Sequence, residues 1–446
     1  MIHSDRIKVL KEGDHTRGQY VLYWMQASQR VEFNHALEYA ILRANSLDLP
    51  LLTAFCLVDE FPEANTSHYK FMLEGLQDVK KSLEQEGIGF EVLLGQPTQI
   101  IPELAEDASL IVFDRDYLRM QRKWRESVIS LVACPVFQIE SNVIVPIETV
   151  SKKEEYSAGT IRPKMQRILP DYMVTLRHRK INNPCPDFGL NGLDITGASD
   201  AMKRLRIKNS IEQQIRFQGG TRNAKRELRN FIRNKLDQFG NLRNDPSHDY
   251  LSNMSPYLHF GNISPLFIAL QIEATRSLGS EAFLEELIIR RELSLNFVYF
   301  NENYDNFECL PNWAKETLEL HAFDPREYSY SFNDLEQAKT HDPYWNAAQT
   351  EMVQYGKMHG YMRMYWGKKI LEWTESPIEA FEIALRLNNK YELDGRDANG
   401  FTGVAWCFGK HDRAWNERLI FGKVRYMNDK GLRRKFNIQS YVDSLL

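Results

Sequence analysis

The chain has 446 residues, 43% of them hydrophobic and 26% charged, and this composition excludes a wholly disordered protein. Its length exceeds what one hydrophobic core usually covers, so we expect two domains. The formal net charge of −4 excludes a globally basic protein. The longest apolar stretch, residues 49–58, is too short to span a bilayer, and the polar N-terminus predicts no signal peptide. The five scattered cysteines favour reduced thiols in a cytoplasmic protein, without a metal site.

The first part of the chain alternates short apolar stretches with amphipathic stretches of helical spacing. The strands are predicted at residues 20–25, 51–58, 90–94, 110–113 and 136–139. Strands that alternate with helices indicate a parallel sheet with right-handed crossovers, and therefore an α/β domain, which we assign to residues 1–180. The domain contains neither a GxGxxG motif nor a Walker loop, so the sequence does not indicate a standard nicotinamide or nucleoside-triphosphate site.

Residues 181–202 are rich in Pro, Gly and Asn and are predicted to be a linker. Beyond it, residues 203–446 are predicted to be an all-helical domain. The expected helices cover residues 203–218, 221–239, 265–278, 282–299, 334–340, 343–374 and 377–389.

Two stretches of the second half are locally basic. Residues 203–235 contain eleven Lys or Arg against two acids, and residues 410–435 contain nine against three. Such stretches are typical of a surface for a polyanion, although solvated helix faces have the same composition.

Four motifs carry residue types suited to ligand binding. Ser252 and Ser255 precede a helix start, which suits either capping or a phosphate site. Glu286 and Arg290 are spaced as an i, i+4 ion pair or as a carboxylate held at a pocket wall. Trp366 and Trp373 lie nearly two helical turns apart, which suits core packing or passage of an electron. The polar residues 394–400, which precede Trp406, are typical of an ordinary loop, and they also suit a loop that presents Trp406 to a cavity.

Taken in order, the strings at residues 23–37, 286–293, 362–373, 394–400 and 420–428 resemble class II cyclobutane pyrimidine dimer photolyases. The resemblance extends over nearly the entire chain. It implies the photolyase/cryptochrome architecture, with a Rossmann-like N-terminal antenna domain and an all-α FAD-binding domain. It also implies that reduced FAD, excited by light, passes an electron to a pyrimidine dimer in UV-damaged DNA, whose cyclobutane ring then splits before the electron returns. The alternative is a cryptochrome-like flavin photoreceptor that signals through a partner.

Several further properties follow from the resemblance as expectations. The protein is expected to be a nucleoid-associated monomer. No motif decides whether a second antenna chromophore, such as 8-hydroxy-5-deazaflavin, binds. A duplex-embedded dimer must be flipped out to reach a buried flavin, and an aromatic pocket would receive it.

The resemblance also implies a role for individual residues. FAD contacts are expected from Leu251, Ser252, Asn253, Met254, Ser255, Arg363, Asn388, Asp394 and Arg396. The extruded dimer is expected to meet Glu286, Met364 and Trp406, with Asn388 near flavin N5, and Trp345, Trp366 and Trp373 are expected to carry electrons to the flavin. DNA contacts are expected from Arg290, Arg291, Lys410, Arg413, Lys423 and Arg425. Two positions differ from the wider family. Phe239 stands where the family often has a tyrosine and therefore lacks its hydroxyl, and Val404 stands where the other photolyase classes have a tryptophan.

Overall fold

The computed structural model describes residues 2–13, 18–211 and 213–445. Its N-terminal part is a six-stranded sheet with the strand order β1-β6-β5-β2-β3-β4. The strands are β1 Ile7–Lys11, β2 Tyr20–Trp24, β3 Leu51–Leu57, β4 Gly89–Leu94, β5 Ala108–Asp114 and β6 Val136–Ile139. All neighbouring strands are parallel except β1, which pairs antiparallel with β6. The predicted Rossmann-like parallel sheet is therefore confirmed.

Helices cover both faces of this sheet, which explains why β2, β3 and β5 are buried along their whole length. The helices are α1 His35–Leu47, α2 Thr66–Gln85, α3 Pro97–Ala105, α4 Arg119–Leu131, α5 Ile147–Val150 and α6 Ala158–Tyr172. Strand β1 was not predicted. It is a short edge strand that Lys8 interrupts and Lys11 ends, so it lacks the continuous apolar run of the central strands.

The strand order reverses between β2 and β5, since the chain continues outward from β2 through β3 on one side and from β5 through β6 on the other. A crevice forms outside the carboxyl ends of the strands at such a point. A cavity lies there, and its lining includes residues that directly follow β2, β3 and β5.

The predicted linker is extended and runs along the outer edge of the sheet. Cys185 donates its backbone N–H to Gly87 O at 2.8 Å, and Leu193 donates to Val92 O at 2.7 Å. The short helix α7 Ala198–Met202 then packs against α2. The segment therefore covers part of the exposed edge next to β4.

The rest of the chain is helical. Its helices are α8 Thr221–Asn234, α9 Leu236–Leu242, α10 Ser255–His259, α11 Pro265–Thr275, α12 Ser280–Leu284, α13 Arg291–Phe300, α14 Asn312–Leu320, α15 Phe332–Glu336, α16 Pro343–Tyr355, α17 Gly360–Trp373, α18 Pro377–Tyr391, α19 Ala398–Cys407, α20 Asp429–Lys435 and α21 Ile438–Asp443. A π-helical turn, Glu285–Arg290, joins α12 to α13. Among the helices that the structure describes, none is long and apolar enough to cross a membrane.

The predicted helix over residues 203–218 is wrong for the residues of this range that the structure describes. Glu212 lies outside the described residues. Residues 203–211 and 213–218 are non-helical. Gln213 explains the difference, because its side-chain amide donates to the carbonyls of Met352, Val353 and Tyr391 at 3.0–3.1 Å. The backbone N–H of the next residue, Gln214, donates to Gln354 O at 2.7 Å, so a distant segment accepts a hydrogen bond that a helix would make within itself.

The predicted helix over residues 343–374 is two helices. Helix α16 ends at Gly356, which has the left-handed φ of 68° that favours glycine, and α17 begins only at Gly360. The intervening residues turn the chain and bring α17 back against α16. Residues 221–239 are likewise divided, at Lys235.

Candidate functional site

The segment before α10 lies beside the loop that separates α16 from α17. Leu251, Ser252, Asn253 and Ser255 are half-buried, while Met254 is buried in the core. Asn253 has a positive φ of 55°, a conformation that asparagine tolerates better than most residues. Lys357, in the loop, donates to Ser255 Oγ at 2.9 Å. The predicted phosphate segment is therefore joined to a cation that the sequence did not single out.

Arg363 is the centre of a buried cluster of charges. Its Nη2 lies 3.2 Å from Asp394 Oδ1 and 2.8 Å from Glu392 Oε2. The predicted pairing of Arg363 with Asp394 is present, and Glu392 is a second carboxylate that sequence reasoning missed. Lys357 Nζ adds a positive charge 3.8 Å from Asp394 Oδ2.

The two carboxylates of this cluster differ in protonation. Burial would raise the pKa of Asp394, but Arg363 and Lys357 hold that pKa well below its usual range. Burial dominates at Glu392, which is 0% exposed, and raises its pKa to about 8 against the opposing effect of Arg363. The cluster therefore combines a firmly ionised carboxylate with one that titrates near neutral pH.

Apart from Glu392 Oε2, which has its ion pair with Arg363, two polar atoms in this region are buried without a hydrogen-bond partner in the described part of the chain. They are Nε of Arg363 and Oδ1 of Asn388, whose amide nitrogen donates to Asn389 at 3.3 Å. Buried polar atoms are rarely left unsatisfied, so such a pair indicates a ligand that supplies an acceptor and a donor. Gly400 on α19 lets the chain pass close to the same region, because a Cβ placed there would lie 3.0 Å from Asn388 Nδ2. These residues fit a polar ring system such as a flavin.

Three buried tryptophans pack together behind this cluster. Trp345 and Trp366 are nearly parallel, with ring centroids 6.5 Å apart, and Trp345 lies 5.7 Å from Trp373. Trp345 Nε1 donates to Trp366 O at 3.0 Å, and Trp366 Nε1 donates to Gln349 Oε1 at 2.8 Å. Trp345 thus links the two indoles of α17, and all three predicted electron-transfer residues come together.

Glu286 lies in the π-helical turn, and its predicted ion pair with Arg290 is wrong. Glu286 pairs instead with Arg243, while Arg290 Nε lies 3.1 Å from Glu285 Oε1. The wider π-helical turn brings residues five apart together, so Arg290 meets the residue before the expected one. Phe239, the residue without a phenolic hydroxyl, is buried among Phe231 and Phe283, where a hydroxyl would lack water.

Met364 and Trp406 lie on the two helices that cross, α17 and α19. Cys407 Sγ donates to Met364 O at 3.9 Å, and a Cβ on Gly367 would lie 2.7 Å from Cys407 Sγ. The crossing therefore requires glycine. Trp406 is half-buried, with its indole between the cations of Lys368 and Arg425 at 5.2 and 5.4 Å.

The six predicted DNA-contact residues do not share one surface. Arg291 is 6% exposed and donates to Asn142 O at 2.9 Å. Lys410 is 7% exposed and bonds to Cys309 O and Glu154. Burial removes both from contact with a phosphate backbone, which corrects the prediction.

The remaining four candidates reach solvent. Arg413 and Lys423 are exposed on the loop after α19, and Arg290 is exposed beside Glu285. Arg425 is partly exposed, binds Asp412 through both ends of its guanidinium at 2.8 and 3.0 Å, and lies over the ring of Trp415.

Arg396, which was predicted to contact FAD, makes its hydrogen bonds with residues outside the Arg363 cluster. Its Nη1 lies 3.1–3.2 Å from the ring nitrogens of His68 and donates to Asn389 O at 2.6 Å. Arg396 lines the cavity at the carboxyl ends of the strands instead.

This cavity has an apolar, aromatic wall with a few charged groups. Its lining includes Trp24, Met25, Phe55, Phe61, Tyr69, Trp124, Arg115 and Asp116. Apolar walls with a small number of polar groups are typical of small-molecule sites. No sequence motif marks this cavity, since its residues follow separate strands.

Comparison with known proteins identifies a consistent set of relatives. The DNA photolyase family profile matches residues 21–185. A deoxyribodipyrimidine photo-lyase of Methanothermobacter thermautotrophicus is 54% identical, over 100% of this chain and 99% of the relative. One of Potorous tridactylus is 39% identical, over 98% of this chain and 84% of the relative. The solved structure of an archaeal photolyase from Sulfolobus tokodaii with two FAD molecules has a TM-score of 0.72 at 16% identity, covering 96% of this chain and 90% of that one.

Proposed function

Because the chain belongs to the deoxyribodipyrimidine photo-lyase family, we propose that it uses light to split cyclobutane pyrimidine dimers in DNA. The observation that carries the proposal is the buried Arg363 cluster, in which Arg363 Nε and Asn388 Oδ1 lack partners among the described residues. These atoms suit the edge of a flavin. FAD, when bound, supplies the light-driven one-electron chemistry.

The residues around the cluster would hold FAD. The segment from Leu251 to Ser255 would bind its phosphates, with Lys357 adding a positive charge through Ser255. Arg363 and Asp394 would lie beside the isoalloxazine, and Asn388 would contact it near N5. A neutral Asn388 offers both a donor and an acceptor, so it can adapt to a change in the flavin's charge.

The dimer would bind on the side where α17 crosses α19. Trp406 and Met364 would form an apolar wall, and Glu286 would accept or donate a hydrogen bond at its rim. Glu286 is held by Arg243, so its carboxylate would be fixed before the lesion enters. A flipped base stacked on an aromatic ring loses less free energy than one exposed to water.

The tryptophans would carry electrons toward the flavin. Their centroid separations of 6.5 and 5.7 Å place Trp345 as the link between Trp366 and Trp373. The indole N–H of Trp345 donates to Trp366 O, and that of Trp366 donates to Gln349 Oε1. Both indole N–H groups therefore have neutral acceptors and not carboxylates. We propose the order Trp373, Trp345, Trp366.

DNA would be held near the loop after α19, by Arg413, Lys423 and Arg425, with Arg290 as a further cation. Such contacts fix the duplex through its phosphates and weaken as salt increases. A monomer is sufficient for all of these roles, and DNA as the substrate implies a location with the nucleoid.

A second chromophore would occupy the cavity at the carboxyl ends of the strands. Its aromatic wall suits a planar pigment, such as a deazaflavin or a second flavin, and Arg115 and Arg396 would neutralise an acidic side chain of it. The domain boundaries near residues 180 and 203 would then separate an antenna domain from a catalytic domain. Mass analysis of the chromophores released on denaturation tests this part.

The function is tested with the purified, FAD-loaded protein and an oligonucleotide that contains a single thymine dimer. The reduced enzyme is expected to split the dimer into two thymines under blue or near-ultraviolet light and to leave the dimer unchanged in the dark. A control oligonucleotide with the other main photoproduct, a (6–4) lesion, measures specificity. Dimers that persist after illumination of the reduced, flavin-loaded enzyme would contradict the proposal and favour a photoreceptor.

A further inference from the structure

Helix α17 buries a lysine that has no carboxylate partner. Lys368 is 0% exposed, and no Asp or Glu of the described residues lies within ion-pair distance of its ammonium. A buried ammonium is costly unless something replaces its water, so its surroundings show what stabilises it.

The groups around Lys368 belong to the end of α19. Its Nζ donates to Cys407 O, the carbonyl at the last residue of that helix. The same Nζ lies 5.2 Å from the centroid of the Trp406 indole. The C-terminal end of a helix is partially negative and an indole face attracts cations, so both groups favour the ammonium. Burial lowers the pKa of Lys368 to about 8.

Contacts on either side of Lys368 lock this arrangement. Met364, one helical turn earlier, accepts a hydrogen bond from Cys407 Sγ, and Gly367 lets α19 approach closely. Successive turns of α17 therefore hold the residue next to Trp406. The ring centroid lies 5.2 Å from Nζ of the buried Lys368 and 5.4 Å from Cζ of Arg425, which is partly exposed.

Other charged or titratable groups face the ammonium. Asp412 attracts it, and Arg425, which Asp412 binds, repels it. Cys407 contributes a thiol whose pKa burial raises to about 11, so it stays neutral where Lys368 titrates. Lys368 is thus the group next to Trp406 that changes charge near pH 8.

We propose that Lys368 is a positioning residue for lesion binding, whose buried ammonium fixes the Trp406 indole in the wall of the dimer pocket. The inference rests on the proposed role of Trp406. Because Lys368 is 0% exposed, its ammonium is out of reach of a DNA strand on the surface. It acts through the ring, which it holds in the orientation that a flipped pyrimidine pair can stack on.

The test measures dark binding of the reduced, FAD-loaded enzyme to dimer-containing and undamaged oligonucleotides of one sequence. Lys368→Met removes the charge and keeps the length. It is expected to weaken lesion binding about tenfold, the effect of losing a desolvated cation–π contact, and to leave undamaged DNA unaffected. Lys369→Met is the matched control, because the neighbouring Lys369 is also buried but pairs with Glu372 at 2.6 Å. It is expected to bind the lesion normally.

A pH series separates positioning from general stability. Lesion preference of the parent is expected to fall as the pH rises through about 8. Lys368→Arg is expected to keep its preference over the same range, since arginine stays charged. Glu392 also titrates near 8 but is present in both proteins, so the difference between them belongs to Lys368.

The outcomes distinguish this inference from the proposed function. A folded, FAD-loaded Lys368→Met variant with parental lesion affinity overturns it. If that variant does not fold, parallel pH profiles of the parent and Lys368→Arg overturn it instead. Should Trp406→Ala also bind the lesion like the parent, the proposed role of Trp406 fails. If Trp406→Ala binds weakly while Lys368→Met binds normally, only the role of Lys368 is wrong.

Discussion

Replacing Glu392 with glutamine should stabilise the protein, and increasingly so as the pH rises. Burial raises the pKa of Glu392 from its ordinary value of 4.5 to about 8. The folded state therefore favours the neutral acid. The stability that this proton contributes is fully present below the unfolded pKa and is lost as the pH rises through the folded pKa. Glutamine imitates the neutral acid at every pH.

The size of the effect follows from the gap between the folded and unfolded pKa values. Each pH unit in this gap is worth about 1.4 kcal/mol. Between about pH 5 and about pH 8, the free energy of unfolding of the parent should fall by about 3 kcal/mol relative to Glu392→Gln. Urea unfolding of the FAD-loaded proteins, followed by far-UV circular dichroism, measures this difference at both pH values.

The matched contrast is Asp394→Asn in the same cluster. Its pKa is held below the usual range by Arg363 and Lys357, so Asp394 contributes stability that is lost as the pH falls. Asp394→Asn should be less stable than the parent at neutral pH, and the deficit should shrink on acidification. If the Glu392→Gln difference is the same at both pH values, burial does not control the protonation of Glu392 and the reasoning is wrong.

Three further predictions concern the proposed roles. Trp366→Phe should slow photoreduction of oxidised flavin, because the nearest indole is lost, while pre-reduced enzyme still repairs dimers; equal loss in both assays would contradict its electron-transfer role. Trp406→Ala should weaken lesion binding by about 1–3 kcal/mol, as stacking on one aromatic ring is lost; unchanged affinity in a gel-shift titration would remove Trp406 from the pocket. Asn388→Leu should alter the absorbance course of a reductive flavin titration more than the amount of flavin retained, and a superimposable titration would count against contact near N5.

The sequence predicts local features well where the spacing alone decides them. The central strands can be recognised in the sequence as continuous apolar runs, because both faces of the sheet are covered. Trp366 and Trp373 share a helix as their spacing indicates. The place of Trp345 between them depends on the reversal at Gly356, which periodicity does not reveal within a stretch that reads as helical throughout.

Features that depend on distant partners were not predictable in this way. Gln213 prevents a helix only because carbonyls more than a hundred residues away accept its hydrogen bonds. Arg291 and Lys410 read as surface cations, yet neighbouring segments bury them. Glu286 does not pair with Arg290, because the turn that holds both residues is π-helical. The spacing of charged residues in the sequence does not distinguish a π-helical turn from an α-helical one.

The four-residue reversal between α16 and α17 serves two tasks at once. It places Lys357 within hydrogen-bond distance of Ser255, in the proposed phosphate-binding segment, and it sets the distance between Trp345 and Trp366. Lengthening or stiffening this connection would therefore alter cofactor retention and electron delivery together. A design that alters electron transfer alone must therefore change the tryptophans or the acceptors of their N–H groups, such as Gln349. It must keep the connection between α16 and α17 unchanged.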